Sequence, residues 1–91
     1  MSMSDQDKFV IDQLCAIVSD ERGVDMSMDI RYLIKMRLIR MSTARFKVVQ
    51  TLYHIYKADL GLTAAQSVWR LSDEIGVSDA MIWKIVKCRK L

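Results

Sequence analysis

The chain has 91 residues, 52% of them apolar and 27% charged, with no proline and a net charge of +3. That is ample material for one small core and excludes a disordered chain. No basic segment leads into an apolar one near the start and no apolar run approaches membrane-spanning length, so neither secretion nor a membrane partner is expected, and the expected location is cytoplasmic.

Glycines at 23, 61 and 76 punctuate the chain where helices would end, which predicts an all-α fold of about five helices. The first helix runs from Ser4, a side-chain cap, to about Arg22, with Val10, Leu14, Ile17 and Val18 on one stripe and Gly23 as its stop. Its acids Asp5, Asp12 and Asp20 form a solvated face. Ser27 opens a second segment, Met28 to about Met41, that fits two templates. As a helix it carries Ile30, Ile34, Leu38 and Met41 on one face and Tyr32, Met36 and Ile39 on nearly the opposite one, so it would need covering on two sides. As a strand, Ile30, Tyr32, Ile34, Met36 and Leu38 alternate with the bases, but such a strand would have to pair with its twin in a dimer. The leucine, methionine, lysine and arginine content favours the helix. Thr43 caps a third helix reaching Leu60, with Phe46, Val49, Leu52, Tyr53, Tyr56 and Leu60 on its apolar face and Lys47, Gln50, His54 and Lys57 on the other.

Thr63 and Gln66 have the spacing of a reciprocal N-cap, and Ala64, Val68, Leu71 and Ile75 then fall on one helical face. Gly76 suits the left-handed conformation that closes a helix, and Ser78 offers an oxygen to cap the next one, with Asp79 in its first turn. In that last helix Ile82, Ile85 and Val86 face inward, while Asp79, Ala80, Trp83, Lys84, Lys87 and Lys90 occupy a broad outward arc.

The run Leu71-Ser72-Asp73-Glu74-Ile75-Gly76-Val77-Ser78, followed by Ile82 and Ile85, resembles the prokaryotic helix-turn-helix DNA-binding family over about twenty residues. Ser72 stands at the family's small position four before the turn glycine, where the helices cross. The resemblance implies a three-helix DNA-binding unit over residues 44–91, supported by an N-terminal helical region over 1–43 that packs on it or pairs between subunits.

Double-stranded DNA is thus the expected partner, read in the major groove by the helix from Ser78 to Lys90. Lys84, Lys87, Arg89 and Lys90 are expected to contact phosphate or guanine, and Thr63 and Ser78 to offer donors at helix N-termini. Two accounts stand open for Trp83: its ring meets the duplex or a partner protein from the centre of the outward face, or it folds back over the helix edge or against Leu91. Asp79 either complements the helix dipole, the preferred account, or accepts from a cytosine amino group. Trp69, at the margin of its helix, is expected in the core or an interface.

The charges are segregated. Residues 1–29 hold seven acids against two bases, residues 30–58 seven bases and no acid, and four bases lie within the last eight residues. A polyanion is the natural partner of such blocks, with the acidic first third held away from it. No glycine-rich phosphate loop or catalytic constellation is present, so no enzyme, cofactor or small-molecule ligand is inferred. Cys15, Cys88 and His54 have no metal-ligand spacing, which points to reduced thiols and no metal. The expected function is sequence-specific DNA binding by a homodimer, as a small transcriptional regulator or mobile-element accessory factor. The alternative is a protein-interaction module that docks through Trp83 and the basic C-terminus.

Overall fold

In the computed structural model of the chain, which describes residues 4–88, capping chemistry starts three of five helices where the sequence predicts. The helices are α1 (Asp5–Arg22), α2 (Ser27–Lys35), α3 (Met41–Ala58), α4 (Ala64–Ile75) and α5 (Asp79–Lys87). Ser4 accepts the Asp7 amide at the head of α1, Thr63 and Gln66 form the full reciprocal box at the head of α4, and Ser78 accepts the Met81 amide at the head of α5. Gly23 and Gly76 close α1 and α4 in the left-handed region. No strand occurs among the described residues, so the period-two alternative for the second segment is not adopted.

The second segment differs from its predicted form. It is helical only to Lys35, its N-cap is Met26 and not Ser27, and no side chain caps it. Instead the Asp25 carboxylate accepts the Ser27 amide at 2.9 Å, which holds that carboxyl below its ordinary range, and the Ser19 hydroxyl accepts the Met26 amide at 2.8 Å. A straight helix to Met41 would have needed cover on both faces. The chain breaks instead at Arg37, a non-glycine residue at φ 61°, and the Leu38 amide donates back to the Leu33 carbonyl. That reversal brings Ile39 and Met41 against the core and leaves Met28, Tyr32, Met36 and Leu38 exposed.

α3 starts at Met41 with Arg40 as N-cap, not at Thr43, and ends at Ala58, not Leu60. The Leu62 amide donates to the Tyr56 carbonyl, so the chain turns Leu62 toward the core and Leu60 outward, against the prediction that Leu60 is apolar-face material. Ala44 and Val48, with Val49, Leu52 and Tyr56, form the buried face of α3, while Phe46 is only half-buried.

One apolar cluster takes side chains from all five helices, including Val10, Leu14, Ile30, Val48, Leu71 and Ile82. α1 packs against α2, α3 and α4, and α3 packs against α1, α4 and α5. These two long helices are therefore the struts on which the others rest. Cys15 is buried on α1, its thiol directed at the Ser27 carbonyl at 3.8 Å, and burial pushes that thiol up from its ordinary 9.0.

The tie between α3 and α4 has a polar core. Tyr56 is 6% exposed, and its hydroxyl donates to Glu74 Oε1 at 2.6 Å; Arg70 stacks over the Tyr56 ring at 4.5 Å and reaches the same carboxylate oxygen at 3.6 Å. Burial and then the Glu74 carboxylate raise the Tyr56 hydroxyl well above its ordinary 10.0. The folded chain thus keeps a proton that the unfolded chain loses first. The stabilisation is complete below about pH 10 and is lost as pH rises through the folded value. Tyr56→Phe should cost about 1 to 2 kcal/mol at pH 7, and its stability should fall less than wild type between pH 9 and 11 in chemical denaturation. At the break after α2, Arg37→Gly removes a left-handed penalty of about 1 kcal/mol and should raise the thermal midpoint by several degrees.

Candidate nucleic-acid interface

α5 is a nine-residue helix, and its exposure follows from which side chains reach the core. Ile82 is fully buried and Ile85, Val86 and Trp83 pack partly against the same cluster, so the outward face centres on Ala80, Lys84 and Lys87, all exposed. Trp83 does not lie at the centre of that face. It sits at one margin, half-buried, with Lys87 Nζ 5.8 Å from its ring centroid. Of the two accounts open for this ring, the one that turns it back over the helix edge matches its packing. Met81 holds the opposite margin at 47% exposure, above a cavity of about 160 Å³ walled by Ser42, Arg45 and Val49 of α3, Val77 of the turn, and Ile85.

The turn into α5 is three residues long. Gly76 at φ 79° ends α4 and Val77 packs against the core. Ser72, in the predicted crossing position, is half-buried and donates its hydroxyl to the Val77 carbonyl at 2.5 Å, which ties the turn back to α4. A Cβ at position 76 would stand 2.9 Å from Gln6 Cγ, so α1 also lies over the turn. At the far end, Gln50 Nε2 donates to the carbonyls of Ile85 at 3.2 Å and Cys88 at 2.5 Å. Gln50 was placed on the polar face of α3 by its spacing, and nothing in its sequence neighbourhood marks it. It adds a second donor to the Ile85 carbonyl, which already accepts the Cys88 amide at 3.1 Å, and a donor to the Cys88 carbonyl just past the end of α5.

Thr63, Ser78 and Asp79 are exposed at helix starts. Thr63 spends its hydroxyl oxygen and its amide within the capping box, leaving the amides of Ala64 and Ala65 at the head of α4. Asp79 lies in the first turn of α5, while Ser78 makes the capping bond. Arg89, Lys90 and Leu91 lie outside the described residues. Trp69 is 61% exposed on α4 and therefore not in the core.

The basic central third is partly spent inside the molecule. Arg31 pairs with Asp12, Arg45 with Asp7 at 3.2 Å and Lys47 with Glu21 at 2.8 Å, each acid coming from α1. Such exposed pairs add little stability, and their main effect is to cancel the field of three of the seven bases. Lys84 is in no ion pair among the described residues, and neither is Lys87. The strongest outward positive charge on α5 is therefore local to its own face.

Comparison with protein-family models, curated proteins and solved structures returns no match. No helix among the described residues is long and apolar enough to cross a membrane.

Replacing Gln50 by alanine leaves the two α5 carbonyls without that donor. Denaturation should show a loss of about 1 kcal/mol, and hydrogen exchange should rise at the last turn of α5 while the amides of α1 stay protected.

Proposed function

We propose that this protein binds double-stranded DNA and that α5 is the helix that enters the major groove. The observation that carries the reading is the setting of α5: a three-residue turn after α4, a buttress of α3 behind it, and a solvent face of Ala80, Lys84 and Lys87 free of acid pairing. A small residue at the centre of the face allows close approach to base edges, and two ammonium groups supply phosphate or guanine contacts. Ser78 and the open amides at the head of α5 favour a phosphate there, although Asp79 next to them opposes one and acts chiefly on the helix dipole. Trp83 braces this face from its margin, with the Lys87 ammonium over its ring.

The proposed role is that of a small cytoplasmic regulator of transcription or accessory factor of a mobile element, working as a homodimer and without catalysis. One nine-residue helix covers few base pairs, and two-fold pairing doubles the site read. The interaction-module alternative docks through Trp83 and the basic C-terminus, and a half-buried ring offers a partner protein little area.

Fluorescence anisotropy on random and selected duplexes tests the reading. Affinity for random duplex should fall steeply with salt. Lys87→Ala should weaken all duplexes alike and lower the salt slope by roughly one. Lys84→Ala should cost about 1 to 3 kcal/mol on the selected site and much less on random DNA. Negligible duplex affinity at low salt would rule the reading out.

A further inference from the structure

α2 buries Ile30 against α1 and turns Met28, Tyr32 and Met36 outward at 85, 58 and 53% exposure. Their spacing of four places them in one stripe along the helix and its C-cap. Leu38 is 71% exposed just beyond the C-terminal end. Exposed large apolar side chains gathered along one helix face in this way mark a contact surface.

The charges around the stripe are polarised along the helix. Asp25 and Asp29 stand at its N-terminal end; Lys35, Arg37 and Arg40 stand at and after its C-terminal end, and none of the five is in an ion pair among the described residues. Arg31, midway, is already held by Asp12. This order complements the dipole of α2 itself, which explains the charges but not the uncovered stripe between them.

We propose that the stripe is covered by α2 of a second copy of this chain, packed antiparallel about a two-fold axis near Tyr32. In that arrangement Met28 of each copy faces Met36 of the other, the two Tyr32 rings meet at the axis, and the acidic end of each helix lies against the basic end of its neighbour. A parallel pairing would set acid on acid and base on base. Of the two ways to pair α2 with its copy about a two-fold axis, only the one with the axis perpendicular to the helix makes the charges complementary, and it gives an isologous contact. α2 packs on α1, whereas α5 is carried by α3 and α4, so the second copy leaves the lysine face of α5 open. The inference deepens the two-fold part of the DNA-binding reading, yet depends on different residues.

Sedimentation equilibrium on the full chain should give a dimer. Tyr32→Glu should raise its dissociation constant by about tenfold or more with the helical circular dichroism unchanged, because the side chain is exposed in the single chain. Asp29→Lys and Lys35→Glu should each weaken self-association, and mixing the two variants should restore it as a mixed dimer. In a Cys88→Ser background, oxidation should link Met28→Cys to Met36→Cys across the mixed dimer and leave Met28→Cys alone largely unlinked. A monomer at high micromolar concentration, a Tyr32→Glu dimer as tight as wild type, or preferential linking of Met28→Cys to itself would overturn the proposal. Anisotropy of the unsubstituted chain on random duplex separates the two readings: a monomer that still binds duplex overturns the α2 interface alone, and a dimer without duplex affinity overturns the DNA reading alone.

Discussion

The orientation of α5, and with it the whole outward lysine face, depends on the closure of α4 at Gly76. A left-handed residue there reverses the chain within three positions, and only glycine takes φ 79° without steric cost. The turn is then held from three sides. Ser72 binds the Val77 carbonyl, Val77 seats in the core, and Gln6 of α1 lies where a side chain at position 76 would stand. The N-terminal helix is consequently part of the apparatus that sets α5.

Packing around that turn is reinforced at its two ends by polar groups whose partners come from α3. Gln50 ends α5, and Tyr56 binds Glu74 near the end of α4. The bonds of Gln50 to the Ile85 carbonyl and of Tyr56 to Glu74 are part-buried, enough for their loss to be felt. α3 is accordingly more than an apolar buttress, since it supplies polar groups that tie down the last turns of the two helices it supports.

Charge is the second organising constraint. The acidic first helix and the basic middle of the chain meet through Asp7, Asp12 and Glu21, which pair with Arg45, Arg31 and Lys47. The middle third therefore offers a polyanion less charge than its composition implies. Of the bases outside these ion pairs, Lys84 and Lys87 lie on α5 and Lys35, Arg37 and Arg40 at and after the end of α2, on different parts of the fold.

The sequence by itself determined the elements whose signals are local. Serine and threonine caps, the Thr63 and Gln66 box, and left-handed glycines act within four residues of where they stand, and they located α1, α4, α5 and the turn before α5. Where a boundary depended on which of two apolar faces would find cover, only the tertiary structure decided. α2 stops at Lys35 because one face meets α1 and the other stays exposed among the described residues, and Leu60 turns outward because Leu62 is the residue the core admits. The same holds for the candidate site. Ala80, Lys84 and Lys87 were legible from periodicity, since exposure on a short helix follows from its buried face. Gln50 at the end of α5 and the cancellation of Arg31, Arg45 and Lys47 were not, because each depends on a neighbour 19 to 38 residues away that periodicity within one helix does not bring into view, and the half-burial of Trp83 depends on the core cluster it packs against.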